Sequence, residues 1–302
     1  MLLIKEKTGV TNSRAFQQLP EETKRSVLIE LKGMRASLRQ LDAVKRMNGI
    51  HSSKPDSFLY SVLSGDNHLN ELQDIIQWIT SLKFKYELDV TPVGISEMKN
   101  WIYDGDTIHH ESGKYFDVMG CRVEIGNREV VSWDQPMVRS AQEGLMGFIV
   151  KKINGIYHFL VQAKLESGNF DIVEMAPTVQ CLTGNYRKGK NEYTIPYLEQ
   201  ILNAPKDKIW YSSYQSEEGG RFFQEQNLNI IVEVGEEFPI EVEENYCWLT
   251  LNQMLSFVTY NNYLNIAARS LLSAISFTMW ILWLFSRLVS ITWIVSSSLT
   301  ST

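Results

Sequence analysis

Two apolar runs joined by an Asn-Gly pair constrain the fold of this chain most strongly. The segment 144–166 reads "GLMGFIVKKINGIYHFLVQAKLE" and places Asn154 and Gly155 between the two runs. Asn-Gly is a preferred pair for two-residue turns between antiparallel strands, because both residues tolerate positive φ. The sequence therefore predicts a β-hairpin at this point.

The second strand of this hairpin carries an unusual polar face. Small or apolar residues alternate in it with an amide, an ammonium and a carboxylate, namely Gln162, Lys164 and Glu166. Strict alternation indicates a half-buried strand, so these three side chains are expected on one face. After the turn "SGN" the chain returns with Glu174 and Gln180. This polar row is either a solvated sheet face or the wall of a polar site.

The rest of the body reads as α+β. Alternating runs continue from about residue 90 to 250, and "LNQMLSFVTYNNYLNIAARSLL" reads as a closing helical segment. An amphipathic helix is predicted over 69–83, with a buried face formed by Leu72, Ile75, Ile76, Ile79 and Leu82. We expect a mixed or antiparallel sheet with flanking helices.

The first 56 residues differ in charge from the remainder. They carry 11 basic and 6 acidic side chains, whereas the other residues carry 18 basic and 29 acidic ones. Two helices are predicted within 20–49, either as the front of a helix-turn-helix or as a solvated helical extension, followed by a linker at 51–57. The acidic body argues against nucleic acid as the main ligand.

Metal, cofactor and location signals are sparse. Cys121, Cys181 and Cys247 form no CxxC pair or Cys/His cluster, so no metal site is expected, and free thiols suit a reducing cytoplasm. No dinucleotide-binding or P-loop motif is present, which predicts no cofactor. Residues 274–299 are apolar with the single charge Arg287, and predict either contact with a membrane or an aberrant ending.

Several separated blocks together resemble one known family. "QAKLESGNFDIVEMAPTVQ", followed by "NYRKG", resembles the signature of the NDP-hexose 2,3-dehydratases, as do "WIYDGDTIHHESGKYFDVMGCRVE", "REVVSWDQPMV" and "CWLTLNQMLSFV" in the same order. The resemblance covers about 57–273. It implies a Nudix-like module that the family normally carries in two copies, whereas this chain shows one. The predicted division is therefore 1–56, a helical extension; 57–273, the module; and 274–302, the tail.

The resemblance also implies an activity and partners. These enzymes remove water across C2 and C3 of dTDP-4-keto-6-deoxyglucose without a cofactor, in deoxysugar biosynthesis. The alternative left open is a partial or inactive module that binds a dTDP-sugar. A homodimer is expected. Pyrophosphate hydrolysis of the Nudix type is disfavoured, because "REVVSWDQ" lacks the glutamate pair that would hold Mg²⁺.

An elimination of this kind needs a base for the C3 proton, donors for the C4 enolate oxygen and an acid for the departing hydroxide. In the light of the resemblance, the candidate catalytic residues are Lys164, Glu166, Glu174, His109 and His110. The candidate substrate-binding residues are Trp133, Gln135, Gln162, Gln180, Tyr186 and Arg187. For Lys164 and Glu166 the alternative is an exposed ion pair of small energetic value.

Overall fold

The computed structural model describes residues 21–22, 24–25, 68–182 and 194–275. By its internal contacts the chain divides into two compact units. The first contains the described parts of 1–78, 151–159 and 247–302, and the second contains those of 79–150 and 160–246.

Helices and strands alternate irregularly along the described chain. The strands are β1 Trp101–Tyr103, β2 Thr107–His110, β3 Phe116–Glu124, β4 Ser132–Ser140, β5 Gly144–Ile153, β6 Ile156–Leu165, β7 Val173–Pro177, β8 Val179–Leu182, β9 Ile209–Ser216, β10 Gln226–Glu233 and β11 Tyr246–Thr250. The helices are α1 Leu72–Lys85, α2 Leu198–Leu202 and α3 Leu251–Phe257, with residues 266–275 also helical and 3-10 turns at Ile95–Glu97 and Lys206–Lys208.

A seven-stranded sheet forms the larger part of the structure. Its main order is β11-β6-β5-β10-β9, with β7 paired to β6 and β8 paired to β5. The pair β5–β10 is parallel, whereas β9, β7 and β8 run antiparallel to their partners. The sheet is therefore mixed, and the predicted α+β class is confirmed.

The predicted hairpin between β5 and β6 is present. Asn154 has φ 52° and Gly155 has φ 84°, the left-handed values that a tight two-residue turn requires. Both strands are almost entirely buried. Because a two-residue turn fixes the register of its strands, this local signal determines which residues of β6 share a face.

A second, four-stranded sheet contains β1 to β4 in sequence order, all antiparallel. It is largely exposed: Met137 is the one buried side chain within residues 101–140, all of which the structure describes. Cross-strand ion pairs join Arg122 to Asp134 and Arg139 to Asp117, and each pair lies directly opposite in the β3–β4 register.

The first unit is held together by hydrogen bonds to the start of α1. The Asn70 amide donates to the carbonyl of Trp248 (2.9 Å), and the Gln253 amide donates to the carbonyl of Asn70 (2.6 Å). Gln253 also completes a capping box with Thr250 at the start of α3. Trp248 is fully buried, so these bonds satisfy polar groups that water cannot reach.

The predicted apolar face of α1 is confirmed in part. Ile75, Ile79 and Leu82 are buried, but Leu72 and Ile76 are about 40% exposed, and their assignment to the core was wrong. Each residue turns a helix by about 100°, so the three buried positions occupy a narrow stripe and the other two lie progressively off its edge.

Several predictions fall outside the described residues. They include the linker, the tail from residue 276 onward, and the two N-terminal helices apart from residues 21, 22, 24 and 25, which are helical. Among the helices that the structure describes, none is both long enough and apolar enough to cross a bilayer.

Candidate functional site

The polar side chains of β6 and β7 face each other across neighbouring strands. In the antiparallel register Lys164 lies directly opposite Glu174, and Gln162 lies opposite Ala176. Residues in such positions project from the same face of the sheet, with Cβ atoms about 5 Å apart. Lys164, Glu174 and Gln162 are half-buried. The structure thus brings together three predicted site residues on one face.

A buried threonine allows one run of chain to pair with both strands of the hairpin. β7 pairs with β6, β8 pairs with β5, and Thr178 lies between them with no exposed surface. The Thr178 hydroxyl accepts a hydrogen bond from the Ile149 amide (2.9 Å) and donates to the carbonyl of Leu160. Thr178 therefore satisfies backbone groups where β5 and β6 separate, and the segment "APTVQ" fills the space between them.

This insertion places Gln180 beside the β6 face. Gln180 lies opposite Met146 in the β5–β8 register, and its amide donates to the Glu166 carboxylate at 2.9 Å. Both Gln180 and Glu166 are half-buried. Lys164, Glu174 and Gln162 thus share one face of the β6–β7 pair, and Gln180 of β8 contacts Glu166 in the turn that follows β6.

Two asparagines of β10 lie on the face of β5 that Gln180 shares, and the sequence reasoning missed both. Asn229 lies opposite Met146, and Asn227 lies opposite Gly144, in the parallel β5–β10 register. Each is only 3% exposed. The signal that could have found them is the spacing in "QNLNIIVE", where two asparagines two residues apart flank Leu228 and precede the apolar run "IIV".

Both polar atoms of the Asn227 amide are paired within the fold. Its Oδ1 accepts from the Gly144 amide at 2.8 Å, and its Nδ2 donates to Glu217 at 2.6 Å. A Cβ on Gly144 would lie only 2.1 Å from that Oδ1, so glycine is required for this close approach.

The face of β6 and β7 opposite the polar row is apolar. Val161, Ala163 and Met175 are buried there, in positions that alternate with the polar row. Helix α2 packs against β5: a Cβ on Gly147 would lie 2.4 Å from Ile201 of α2. In β6 and β7 the polar residues are therefore confined to one face.

Trp133 and Gln135 lie on β4 and contact each other. The Trp133 indole N–H donates to Gln135 Oε1 (2.6 Å), and Gln135 Nε2 donates to the carbonyl of Gly220 in the β9–β10 connection (2.8 Å). A parallel bridge between Val138 and Phe222 strengthens this attachment. The connection enters β10 at Gln226, next to Asn227, so β4 is attached at the end of the sheet where the asparagines lie.

His109 and His110 are adjacent on β2 and therefore point to opposite faces of the four-stranded sheet. His109 Nδ1 is 3.0 Å from the Thr107 hydroxyl and 3.8 Å from a carboxylate oxygen of Asp104. Hydrogen bonds from the backbone of residues 107 and 106 lower the pKa of Asp104, which keeps that carboxylate ionised.

His110 sits in an aromatic cluster. Its ring packs edge-on against Trp101 and Tyr115, with centroids 5.6 and 5.0 Å away, and its Nδ1 is 2.7 Å from the Ser112 hydroxyl. The hydrogen bonds and ring contacts of both histidines named above are with residues of the four-stranded sheet and its turns. Neither histidine lies on the polar face of β6.

His158, the first polar residue of β6, has a structural role. Its Nε2 accepts a hydrogen bond from the Leu69 amide at 3.0 Å, so the ring must be neutral at that nitrogen. Burial lowers the pKa of His158 to about 4. Leu69 precedes α1, and the imidazole thereby satisfies a backbone donor at the entry to that helix.

Tyr186 and Arg187 lie in the stretch 183–193, outside the described residues. Over the described part of the chain, no group of three or more His, Cys, Asp or Glu side chains is arranged to hold a metal ion. The assembled face instead offers hydrogen-bonding amides, one ammonium and two carboxylates, a set suited to a polar uncharged ligand and to proton transfer.

A match to a known protein family covers the region of the chain that contains this site. Residues 72–275 match the family model described as NDP-hexose 2,3-dehydratase. Three curated relatives share the name dTDP-4-dehydro-6-deoxy-alpha-D-glucopyranose 2,3-dehydratase. They come from Streptomyces violaceoruber (36% identity, 68% of this chain, 46% of the relative), Saccharopolyspora spinosa (37%, 70% and 44%) and Amycolatopsis orientalis (36%, 67% and 42%). The chain thus spans less than half the length of these relatives.

Among solved structures, the crystal structure of C. elegans Ap4A hydrolase aligns with 39% of this chain and 87% of its own. The identity is 12% and the TM-score is 0.25, a similarity too low to establish a common fold.

Proposed function

Because the chain belongs to the NDP-hexose 2,3-dehydratase family, we propose that it removes water across C2 and C3 of a dTDP-4-keto-6-deoxyhexose. The observation that carries this proposal is that Lys164, Glu174 and Gln162 share one face of β6 and β7 while Glu166, the residue after β6, is hydrogen-bonded to Gln180, all within the matched region. The three relatives are named for this reaction.

The reaction begins at the carbon next to the ketone. A base takes the C3 proton and leaves an enolate on the C4 oxygen. The base acts on the C3 proton, and the cation that stabilises the enolate acts on the C4 oxygen. The two side chains must therefore lie close together. Glu174 and Lys164 are cross-strand neighbours on the polar face. We therefore assign proton abstraction to Glu174 and stabilisation of the enolate oxygen to Lys164.

The second step is loss of the C2 hydroxyl. The enolate electrons form the C2–C3 double bond, the C2–O bond breaks, and the departing hydroxide takes a proton to leave as water. Glu166, held by Gln180 at 2.9 Å, is assigned as the acid that supplies this proton. Gln162 and Gln180 are assigned to the sugar hydroxyls. Neither step consumes or regenerates a redox cofactor.

The remaining predicted residues keep supporting roles in the proposal. Trp133 and Gln135, paired at the attachment of β4, are assigned to the nucleotide, as are Tyr186 and Arg187, whose aromatic ring and guanidinium suit a base and a diphosphate. His109, beside the ionised Asp104, and His110 are retained as alternative proton-transfer groups.

The test follows the two steps separately. The full chain is incubated in deuterium oxide with dTDP-4-keto-6-deoxyglucose, and mass spectrometry records deuterium at C3 and loss of water. Exchange with elimination supports a working dehydratase. Neither signal, in the presence of dTDP binding, would support the alternative of a partial binding module. Absence of all three would overturn the nucleotide-sugar proposal.

Two conservative variants test the assigned acid and base. In Glu174→Gln, C3 exchange and elimination should both fall at least a hundredfold, because proton abstraction comes first. In Glu166→Gln, exchange should persist while elimination falls. Equal loss of both signals in the two variants, or unchanged rates in either, would contradict these assignments. Loss of exchange in His109→Gln, with Glu174→Gln active, would move the base to the histidine.

We further propose that residues 57–273 form one Nudix-like module, flanked by the extension 1–56 and the tail 274–302. The match over 72–275 and the mixed sheet support this division. An experimental structure of the full chain would test it.

The proposed setting is a cytoplasmic homodimer, with membrane contact through residues 274–299. The three free thiols support the location, and the apolar composition of the tail supports the membrane contact. Light scattering would test the dimer, and vesicle flotation would test the contact; a monomer or no flotation would contradict the respective part.

A further inference from the structure

We propose that Asn229 is a substrate-binding residue whose Oδ1 accepts a hydrogen bond from an uncharged N–H or O–H donor of the bound nucleotide sugar. This inference rests on the proposed function and extends it. It concerns a residue that the sequence reasoning did not select, on a strand that the assigned catalytic residues do not use.

The first support is the position of Asn229. Met146 of β5 lies opposite Gln180 on one side and opposite Asn229 on the other. Paired residues project from the same face of a sheet, so Asn229 and Gln180 flank Met146 on one face of β5, two strand spacings or about 10 Å apart, and Gln180 also contacts Glu166 at 2.9 Å. A hexose or a pyrimidine can span this separation and contact both amides.

The second support is an unsatisfied acceptor. Asn229 is 3% exposed, and its Nδ2 donates to the backbone carbonyl of Asn227 at 3.0 Å, which defines the orientation of the amide. Its Oδ1 is buried and has no hydrogen-bond partner among the residues that the structure describes. Buried amide oxygens are nearly always paired, so an unpaired one on a polar face indicates a ligand donor.

The third support is the chemistry of the acceptor. An amide oxygen has no proton to donate, so it cannot bind the oxygens of a diphosphate. In a dTDP-hexose the uncharged donors are the imide N–H of thymine, the 3′-hydroxyl of the deoxyribose and the hydroxyls of the hexose. Asn229 is therefore assigned to the nucleoside or to the hexose, and the diphosphate is left to cationic side chains.

Asn227 provides a matched control. It has the same side chain, the same burial and the same face of the same strand, but both of its polar atoms are already paired, with Gly144 and Glu217. Replacing it removes two internal hydrogen bonds and no proposed ligand contact. A structural role predicts the greater effect for Asn227, and a ligand-binding role predicts the greater effect for Asn229.

The experiment measures affinity by titration calorimetry on the full chain. Asn229→Ala and Asn227→Ala are compared with the unmodified protein, using dTDP and dTDP-glucose, which carries sugar hydroxyls but no ketone. We expect Asn229→Ala to weaken binding about tenfold, the effect of one net hydrogen bond, and Asn227→Ala to change it less than twofold. Loss for both ligands indicates the nucleoside, and loss for dTDP-glucose alone indicates the hexose.

Two results would contradict this proposal. Affinities for both ligands within twofold of the unmodified protein in Asn229→Ala would overturn the proposal, as would a greater loss in Asn227→Ala. Failure of the unmodified protein to bind either ligand would instead overturn the proposed function.

If Asn229→Ala does not fold, the donor is deleted from the ligand instead. The unmodified protein is titrated with N3-methyl-dTDP, with the 3′-deoxy analogue of dTDP, and with dTDP-hexoses in which single hexose hydroxyls are replaced by hydrogen. One of these analogues should bind about tenfold more weakly. If none loses more than twofold, the proposal fails.

Discussion

The two sheets use polar side chains in different ways. In the four-stranded sheet charged side chains pair with a neighbour across the strands and remain in contact with water: the side chains of Arg122 and Asp134 are 75% and 65% exposed. In the seven-stranded sheet the polar side chains of β6, β7 and β8 assigned to the site are half-buried, as Lys164 is, and Asn227 and Asn229 of β10 are buried.

The difference shows where polar residues are informative. An exposed pair changes little when it is lost, because water replaces the partner. A polar group inside a packed sheet carries a desolvation cost, so its presence needs a structural or chemical reason. Charges of the small sheet are therefore weak indicators of function, whereas an amide or ammonium within β6, β8 or β10 is a strong one.

The largest expected contrast is in turnover. Lys164→Met keeps the length of the side chain but removes its charge, and should lower the elimination rate by about 10²–10³-fold because the enolate loses its electrostatic stabilisation. Arg122→Met removes a cation of the small sheet in the same manner and should change the rate less than twofold. Steady-state kinetics on both variants provides the measurement. Equal rates in the two variants would remove Lys164 from the mechanism.

The next contrast concerns pH and His158. Burial lowers its pKa from 6.5 to about 4. Between these two pH values the ring is neutral in the folded protein, whereas it takes up a proton in the unfolded chain. The stabilisation is therefore complete above pH 6.5 and is lost as pH falls toward 4. The difference between the two pKa values corresponds to about 3 kcal/mol in the free energy of unfolding.

Urea unfolding at a series of pH values from 7 to 4.5 measures this loss. Carboxylates such as Asp104, whose pKa is lowered, titrate below that range and therefore contribute little to the change. His158→Gln serves as the control and should show a nearly flat profile between pH 5 and 6.5. An equally steep profile in this variant would assign the pH dependence to other groups.

A third contrast is between two threonine hydroxyls. Thr178→Val removes a buried hydroxyl bonded to Ile149 and Leu160, and should lower the free energy of unfolding by about 2–3 kcal/mol because two backbone groups lose their partner. Thr107→Val in the small sheet removes a hydroxyl beside His109 at a half-buried position, and should cost less than about 1 kcal/mol. Chemical denaturation of both variants compares them; a smaller cost for Thr178→Val would contradict the structural role given to its hydroxyl.

Local signals allowed part of this structure to be predicted. The Asn154-Gly155 turn fixes the register of β6, and alternation along β6 then assigns Gln162 and Lys164 to one face without any knowledge of the neighbours. The closing helical segment was predicted as one piece, but it consists of α3 and residues 266–275 with a turn between them.

Non-local pairing accounts for most of what could not be predicted. Nothing in the segment around Thr178 shows that it separates β5 from β6, because that depends on strands more than ten residues away. Asn229 was missed for the same reason: it joins the site only through parallel pairing with Met146, some eighty positions earlier in the chain. A single sequence contains no direct record of such registers.

The smallest expected effect is the coupling within an ion pair of the small sheet. Arg122 and Asp134 are joined by two hydrogen bonds of 3.0 and 3.1 Å, a geometry that favours measurable coupling, but their exposure screens the charges. A double-mutant cycle with Arg122→Ala, Asp134→Ala and the double variant should give about 0.2–1 kcal/mol, falling further in 1 M salt. A salt-independent coupling above about 2 kcal/mol would show that this sheet is as sensitive to its polar groups as the larger one, and the distinction drawn between the two sheets would then fail.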